Sequence, residues 1–285
     1  LLSRMLTRKI STLLTAIRKV RAGAYEHRTH ISGRDEIAQI GEEFNSLTDR
    51  LQTTETVRRR FVSDASHELK TPLAAIRLLT DSILQTDQMD METVRDFVTD
   101  IGSEAERLSR ITEDLLRLTR LDSDLLDAPE TVEVAPVLEQ VMRMMSLLAQ
   151  EKGTELTYRM EENCRVSATK GEVHQVIYNL TDNAVKYSGK NGKVRVELRH
   201  EDHDVVLTVA DNGPGIPEED LPKVFERFYR VDKARSRAAG GTGLGLSIVQ
   251  DTVKKRGGTV SAANRAGGGA VFTVRWSEAE GGDHS

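Results

Sequence analysis

The sequence predicts a multidomain chain, with an N-terminal α-helical coiled coil and a dimeric four-helix bundle followed by an α+β sandwich. Three observations predict this fold class. Residues 43–127 contain one glycine, Gly102, and one proline, Pro72, which favours long helices. Apolar residues recur every three or four positions in the first half and form short strand-like runs in the second. Of the 21 glycines, 13 lie in residues 211–285, where loops or a closely approaching ligand are expected.

Composition excludes several classes of protein. The chain has 40 Lys+Arg and 45 Asp+Glu, a net charge of −5, which argues against a strongly basic nucleic-acid binder. The single cysteine, Cys164, rules out an intrachain disulfide and suits a reducing compartment. No apolar run approaches the ~20 residues that span a bilayer. The chain opens on Leu1 without an initiator Met, so we expect an upstream N-terminus.

Two short amphipathic helices are predicted first, joined by a connector that Gly23 and Gly33 bracket. Their apolar stripes are Ile10, Leu13, Ile17 and Val20, then Ile37, Ile40, Phe44, Leu47 and Leu51. The segment 33–47 (GRDEIAQIGEEFNSL) resembles the HAMP signal-relay module found just inside bacterial membranes. The first helix lacks the proline usual near its start in that module. A generic coiled coil is the alternative.

A helical hairpin is predicted next. The apolar phase continues through the polar seam positions Thr54 and Arg58 into the stripe Phe61, Ala65, Leu69, Leu73, Ile76, Leu79 and Ile83. The run of four-residue steps resembles a stutter, which locally unwinds a coiled coil. After a short loop at 87–91, a second stripe runs from Val94 to Leu118. One antiparallel hairpin buries too little core alone, so the pattern favours a dimeric four-helix bundle.

The second half is predicted to alternate strands and helices. The strand-like runs are 131–134, 155–160, 193–200, 204–210, 259–264 and 270–276, and the helical runs are 135–150, 171–187, 218–228 and 243–256. The neighbouring runs 193–200 and 204–210 form a hairpin. This order predicts a mixed sheet with helices packed on one face.

The first chemical cluster is FVSDASHELKTPL at 61–73. His67 lies about 160–200° around the helix from the apolar seam, so it faces solvent. Glu68 can orient or deprotonate the imidazole, and Thr71 lies one turn further on the same face. Pro72 should bend the helix just after the histidine. A lone helical His is more often an ordinary surface or core residue, but a solvent-facing, largely neutral imidazole is also a nucleophile.

Three further clusters lie in the second half. In NLTDNAVKYS (179–188), Asn179 and Asn183 share a helix face and offer the oxygen ligands that suit Mg²⁺, although a plain polar face is equally plausible there. In DNGPGIP (211–217), Asp211 follows a strand and is either a turn residue or an acceptor for an adenine amino group. In GGTGLGLSIVQ (240–250), glycines lead into a helix whose free N–H groups can hold phosphates.

Taken together, the ordered clusters at 61–73, 179–188, 211–217, 225–230 (FERFYR) and 240–246 resemble the sensor histidine kinases of two-component systems. The resemblance covers roughly residues 57–276. Its ATP-binding half is similar to the fold shared by DNA gyrase and mismatch-repair ATPases. The chain contains no GxxxxGK[ST] motif and no HRD or DFG set, which argues against P-loop ATPases and ordinary Ser/Thr/Tyr kinases.

The resemblance implies a role for each site residue. His67 would accept the γ-phosphoryl group of ATP, Glu68 would act as its base, and Thr71 would position water for dephosphorylation of the regulator. At the phosphate end of the nucleotide site, Asn179 and Asn183 would hold Mg²⁺ and Lys186 would neutralise phosphate. At the adenine end, Tyr187 would pack on the base and Asp211 would bind its amino group. Gly213 and Gly215 would let the base approach. Residues 231–242 would form a mobile lid, with Gly241, Thr242, Gly243, Leu244 and Gly245 at its phosphate-binding end.

The basic segment at 227–237 is a further candidate for phosphate contacts, with a plain solvated face as the alternative. Its cations are Arg227, Arg230, Lys233, Arg235 and Arg237. Phe225 and Phe228 are expected to pack in the core.

The expected domains are a HAMP-like relay at 1–51, a coiled-coil connector at 52–60, a dimerisation and phosphoacceptor hairpin at 61–122, an ATP-binding domain at 128–277 and a disordered tail at 278–285. Expected partners are ATP, Mg²⁺, a response regulator receiver domain, a second copy of the chain and the membrane through an absent upstream segment, but no nucleic acid. The chain would be the cytoplasmic portion of a membrane protein. Two other functions stay open: an ATP-driven conformational machine of the gyrase type and a catalytically silent coiled-coil scaffold.

Overall fold

The computed structural model describes residues 2–86, 89–122, 127–189, 191–232 and 241–279. Within them the chain divides into two compact units, one ending at His67 and the other beginning at Glu68.

The first unit consists of helix α1 (Leu2–Arg21), a connector and the first part of helix α2 (Glu36–Gln85). Side chains of α2 fasten the connector: Asn45 Nδ2 donates to the Thr29 carbonyl at 2.8 Å, and Arg28 donates to Asp49. The buried face carries Ala16, Val20 and Ala38. By contrast, most of the predicted apolar stripes remain half-buried or exposed within one chain, with Ile10, Ile17, Ile40, Leu47 and Leu51 all exposed.

In the second unit, the rest of α2 is joined to helix α3 (Met91–Asp122) by an ion pair between Glu68 and Arg107 at 2.9 Å. Helix α2 is assigned without interruption through Pro72, whose side chain is buried. The buried side of α3 is formed by Arg107, Ile111, Leu118 and Leu121, and the last three are apolar at helical spacing. The predicted long helices are therefore confirmed. Residues 87 and 88 of the predicted loop lie outside the described residues.

The mixed sheet predicted for the second half is confirmed. Its strands are β2 (Glu155–Met160), β4 (Lys193–Glu201), β5 (Asp204–Asp211), β6 (Thr259–Asn264) and β7 (Ala270–Ser277). Their order is β2-β4-β5-β7-β6, with β2 parallel to β4 and the other pairs antiparallel. A separate antiparallel pair joins β1 (Glu130–Glu133) to β3 (Arg165–Ala168).

Three helices, α4 (Val134–Glu151), α5 (Lys170–Tyr187) and α6 (Gly245–Lys255), pack against the sheet. The core that they share with the strands includes Leu138 of α4, Leu180 of α5, Val249 of α6 and Phe272 of β7. Phe225 packs at the edge of this core, with its ring 6.2 Å from that of Phe272 in an edge-to-face arrangement, as the sequence predicts.

Three local expectations differ from the structure. The predicted helix at 218–228 is only a 3-10 turn at Leu221–Lys223, because Pro222 has no N–H and disfavours helical geometry at Leu221. Strand β3 (Arg165–Ala168) is not among the predicted strand-like runs. The tail was expected from 278, but Glu278 bridges to Val166 and the Ala279 N–H donates to the Arg165 carbonyl; residues 280–285 lie outside the described part.

Cys164 is completely buried in the core of the sandwich, and its carbonyl accepts from the Val134 N–H at 2.8 Å. Burial raises the pKa of its thiol to about 11. Among the described residues, no helix is long and apolar enough to cross a membrane.

Candidate active site

A cavity of about 790 Å³ lies between α3, α5 and the glycine-rich segment before α6. Most of the nucleotide-site residues predicted from the sequence line it: Asn179, Asn183, Lys186, Tyr187, Asp211, Gly215, Gly241, Thr242, Gly243 and Gly245. Gly213 and Leu244 do not. Leu244 is fully buried, and Gly213 contacts the cavity only through Asp211, to which its N–H donates at 2.8 Å.

Asp211, the last residue of β5, is the buried acid of the cavity, with only 4% of its surface exposed. Its Oδ1 accepts from the N–H groups of Gly213 at 2.8 Å and Ala270 at 3.2 Å. Burial raises the pKa of the carboxyl group, although the two N–H groups oppose that shift. A buried acid that keeps acceptor capacity beyond two backbone bonds is suited to bind a donor group of a ligand.

Two glycines give Asp211 its position. A Cβ on Gly213 would lie 2.3 Å from the Tyr187 carbonyl oxygen, and a Cβ on Gly269 would lie 2.0 Å from the Asp211 carbonyl oxygen. Both distances are too short for any side chain. Beyond them, Asn264 holds the turn through two hydrogen bonds to Ile216, a 2.8 Å bond from the Ile216 N–H and a 2.6 Å bond to its carbonyl.

Helix α5 supplies the polar wall. Asn179 and Asn183 lie one turn apart on the face that lines the cavity. The Asn179 amide is held on both sides: its Nδ2 donates to the Gly245 carbonyl at 3.0 Å, and its Oδ1 accepts from Gln175 Nε2 at 2.8 Å. Lys186 Nζ donates to Asp182 at 2.6 Å, so this cation is held beside the cavity.

The glycine-rich segment is fastened to α3. Thr242 Oγ1 donates to Asp114 Oδ2 at 2.8 Å, and burial raises the pKa of that carboxyl group. Gly243 has a φ of +75°, and its carbonyl accepts from the Phe228 N–H at 2.9 Å. Arg230 donates to the Gly241 carbonyl. These contacts hold the segment that the sequence predicts to bind phosphate.

In the basic segment at 227–237, Arg227 and Arg230 make contacts within the protein, and the other three cations lie outside the described residues. Arg227 pairs with Asp122 of α3 at 2.7 Å and with Asp251 of α6 at 2.9 Å. Arg230 is 5% exposed. Both lie within networks of protein contacts. Lys233, Arg235 and Arg237, like most of the predicted lid, fall in 233–240, outside the described residues.

The predicted phosphoacceptor residues lie on α2. His67 and Thr71 are both exposed, as the helical period predicts, and they are one turn apart. Glu68 is half-buried, and its Oε2 accepts from Arg107 of α3 at 2.9 Å and from Arg230 at 3.4 Å. The acid beside His67 is therefore held by two guanidinium groups.

Four site residues were missed by sequence reasoning: Gln175, Asp114, Gly269 and Asn264. Gln175 lies one turn before Asn179, so the same i,i+4 spacing could have revealed it. Asp114 lies 128 residues from Thr242, and its neighbours in sequence carry no sign of that contact. Gly269 and Asn264 belong to the β6–β7 hairpin, whose proximity to Asp211 follows only from the strand order.

The donor set fits Mg²⁺ better than a transition metal. No group of three or more His, Cys, Asp or Glu side chains in the described part of the chain could hold a metal. Asn179 and Asn183 instead line the cavity with side-chain amides. Few protein ligands, completed by water and substrate phosphates, are the usual arrangement for Mg²⁺.

Three family profiles match the chain in order. A HAMP domain matches residues 1–53, a His Kinase A (phospho-acceptor) domain matches 57–124, and the histidine kinase-, DNA gyrase B- and HSP90-like ATPase family matches 168–280. His67 lies within the second match, and Asn179, Asn183 and Asp211 lie within the third.

Known proteins are similar over most of the chain. Signal transduction histidine-protein kinase BaeS of Escherichia coli (strain K12) is 31% identical over 276 residues, which cover 96% of this chain and 58% of that relative. The chain thus spans just over half the length of the curated relatives that it matches.

Two solved structures are similar in fold. Full-length ShkA in complex with AMPPNP has a TM-score of 0.56 and 28% identity, covering 77% of this chain and 46% of that one. Histidine kinase ThkA, in complex with response regulator protein TrrA, has a TM-score of 0.63 and covers 87% of this chain and 69% of that one. At 23% identity, the second likeness shows the fold alone.

Proposed function

The chain belongs to the sensor histidine kinases, and from this premise we propose that it transfers the γ-phosphoryl group of ATP to His67 and then to an aspartate of a response regulator. The observation that carries the proposal is one cavity lined by a buried acid, two asparagines, a lysine and a glycine-rich segment. BaeS, the relative described above, is a signal transduction histidine-protein kinase, which agrees with this proposal.

In this proposal Asp211 accepts a hydrogen bond from the adenine amino group, and the Tyr187 ring packs on the base. Gly215, which lines the cavity, lets the base approach the backbone, whereas Gly213 lets the turn pass close to the Tyr187 carbonyl. Lys186 exchanges its contact with Asp182 for the phosphates. The backbone N–H groups of Gly241, Thr242, Gly243 and Gly245, which line the cavity at the start of α6, hold the phosphate chain, because the start of a helix presents unpaired donors.

The asparagine pair would hold Mg²⁺ through amide oxygens, as its donor chemistry suits. When bound, the ion would offset the negative charge that develops on the transferring phosphoryl group. The residues of this chain contribute position: Asn179 is fixed through Gly245 and Gln175, so its oxygen needs no reorientation when the substrate arrives.

The transfer itself needs a nucleophile and a base. The unprotonated imidazole nitrogen of His67 forms the bond to the γ-phosphorus as the bond from that phosphorus to the bridging oxygen of ADP breaks. The proton on the other ring nitrogen then leaves to a base, for which we assign Glu68. Arg107 holds that carboxylate in place.

The phosphoryl group then passes to the aspartate of a receiver domain, and the N–P bond breaks as the acyl phosphate forms. For the reverse process, Thr71 would hold an attacking water in line with the acyl phosphate without adding negative charge. The HAMP match at 1–53 supports a further part of the proposal, in which the chain is the cytoplasmic portion of a membrane protein.

The test is incubation with γ-labelled ATP. We expect label on the wild-type protein that is labile in acid and stable in base, and none on His67→Gln, which should still bind ATP within about twofold. His203→Gln, at an exposed hairpin turn, is the matched control and should label normally. Labelled protein should then transfer its phosphate to a receiver domain, and Thr71→Ala should slow the later dephosphorylation of the regulator at least about tenfold.

The alternatives give other results. Free phosphate without labelled protein would favour a gyrase-type conformational machine. If neither label nor free phosphate appears, the scaffold interpretation is favoured. Label that persists on His67→Gln would contradict the assignment of the phosphoacceptor.

A further inference from the structure

Three side chains form a hydrogen-bond relay from α3 to the start of α6. Arg117 of α3 donates through a guanidinium N–H to Gln175 Oε1. Gln175 Nε2 donates to Asn179 Oδ1 at 2.8 Å, and Asn179 Nδ2 donates to the Gly245 carbonyl at 3.0 Å. All three bonds run in the same direction along the relay.

The ends of the relay fix the orientation of both amides. A guanidinium group can only donate, and a backbone carbonyl can only accept. Gln175 must therefore turn its oxygen to Arg117 and its nitrogen to Asn179, while Asn179 must turn its nitrogen to Gly245. Reversing either amide would leave two donors or two acceptors facing each other. The usual ambiguity between the oxygen and nitrogen of an amide is absent here.

The relay also acts on the Asn179 oxygen. An N–H donor at one lone pair holds the oxygen in place and leaves the second lone pair available. Donation from the same amide to Gly245 polarises the group further, because hydrogen bonds in series reinforce one another. Without Gln175, a single bond to Gly245 would hold Asn179.

We propose that Gln175 is a positioning residue that orients the Asn179 oxygen toward the Mg²⁺ of a bound nucleotide, and that Arg117 makes this orientation depend on the packing of α3 against α5. The inference rests on the proposed function, because it requires that Asn179 serve a metal–nucleotide site. Gln175 acts through Asn179 and needs no contact with the phosphates.

The experiment measures binding rather than turnover. The affinity of the full chain for AMPPNP is determined by calorimetry with excess Mg²⁺ and again with EDTA, and the ratio of the two dissociation constants gives the Mg²⁺-dependent gain. Gln175→Leu should lose at least about fivefold of that gain, while affinity in EDTA should stay within about twofold of wild type.

Two comparisons separate positioning from packing. Gln175→Glu keeps an acceptor for Arg117 but has no N–H for Asn179, so it should fail as Gln175→Leu does. Gln140→Glu makes the same change at an exposed site on α4 and should behave as wild type. Arg117→Ala should lose part of the gain, and Arg117→Lys, which restores a donor, should recover it.

The inference is overturned if either Gln175→Leu or Gln175→Glu keeps the wild-type Mg²⁺-dependent gain. It is also overturned if the affinities of Gln175→Leu in Mg²⁺ and in EDTA fall together, or if the wild-type protein shows no Mg²⁺-dependent gain. Thermal melting of each variant checks folding, and a variant with a lowered melting temperature is measured well below its transition. Failure of the proposed function looks different: wild-type protein would then take no label from ATP, whatever its affinity ratio.

Discussion

At the scale of single residues, the Asp211 carboxylate that suits the site also lowers the stability of the folded protein. The carboxylate is buried at the end of a strand, where burial raises its pKa. The folded state favours the protonated form of this group. Its contribution to the stability of the protein is therefore fully present below about pH 4, which is near the ordinary pKa of an aspartate. That contribution is lost as the pH rises through the raised pKa. At neutral pH the buried carboxylate is therefore unfavourable for the stability of the ligand-free protein.

We therefore predict that Asp211→Asn stabilises the protein while it destroys the site. The amide oxygen can still accept from Gly213 and Ala270, and no charge is buried. The melting temperature of the variant should exceed that of wild type, by a margin that grows as the pH rises above about 4. Affinity for AMPPNP should fall at least about tenfold, or 1.4 kcal/mol, because an NH₂ group would face the adenine amino group.

Asp202→Asn is the matched control for this change. It removes the same charge at the other end of the β4–β5 hairpin, at a φ of +53° that asparagine tolerates. Calorimetry and melting curves on both variants check the prediction. If Asp211→Asn binds AMPPNP as wild type does, Asp211 does not contact the base.

Residue types reveal a site from the sequence when its members are close together along the chain. Asp211 and the Asn179–Asn183 pair were predicted because each belongs to a compact motif. Asp114 and Gly269 could not be, because each meets its partner only through the packing of distant elements. The pairing of Lys186 with Asp182 lies at helical spacing and was open to prediction.

At the scale of elements, the start of α5 combines a capping box with an ion pair, and Glu172 takes part in both. Thr169 and Glu172 form a capping box, in which each side chain accepts from the backbone N–H of the other residue. The Glu172 carboxylate also receives Arg256, which follows α6, at 2.9 Å. One side chain thus satisfies the start of one helix and fastens the end of another.

We predict that Glu172→Ala costs about 2–4 kcal/mol of unfolding free energy, since it removes a cap and leaves a largely buried guanidinium without its main partner. Glu172→Gln should cost about half as much, because glutamine can still complete the box. Denaturant unfolding measures both values. Equal losses in the two variants would show that the ion pair, rather than the cap, dominates.

Element type follows from the sequence where the period is long and clear. The predictions for α4 and α5 agree with the structure to within a residue or two at each end, since both have a strong apolar face. The prediction of a helix at 218–228 is wrong, because it relied on the spacing of apolar residues and gave too little weight to Pro222. Phe228 has a left-handed backbone conformation, with a φ of +62°, which the periodicity of the sequence does not indicate.

At the scale of the whole molecule, α2 carries apolar side chains that one chain does not cover. Val62, Leu73 and Leu84 are 56%, 54% and 76% exposed. They recur every 11 residues, which is three helical turns, so they lie on one line along the helix. A line of exposed apolar side chains is a surface on which a second hairpin would pack.

We predict a homodimer in solution, with twice the 31.7 kDa mass of one chain. Leu73→Glu should shift the protein toward monomer, because a carboxylate would be buried between the helices. Ala74→Glu, at the neighbouring exposed position, should stay dimeric. Light scattering after size exclusion measures the mass. A dimer that survives Leu73→Glu would place the interface elsewhere.

The order of fold types, long helices followed by a mixed sheet, followed from the sequence because the two halves differ in apolar period and glycine content. The assembly did not, since a stripe identifies an uncovered face but not what covers it. The stripes of Ile40, Leu47 and Leu51 illustrate this: they are predicted correctly as helical faces, and they remain exposed in one chain.

The burial of Cys164 has a practical consequence for spectroscopy. Burial raises its thiol pKa to about 11, so much less of it is thiolate at neutral pH than in an ordinary cysteine, and the sulfur is enclosed. We therefore expect maleimides to leave Cys164 largely unmodified. A single cysteine introduced at exposed Val57 would carry a spin label or dye alone, and pairs of labels would report distances between copies without mutation of the core.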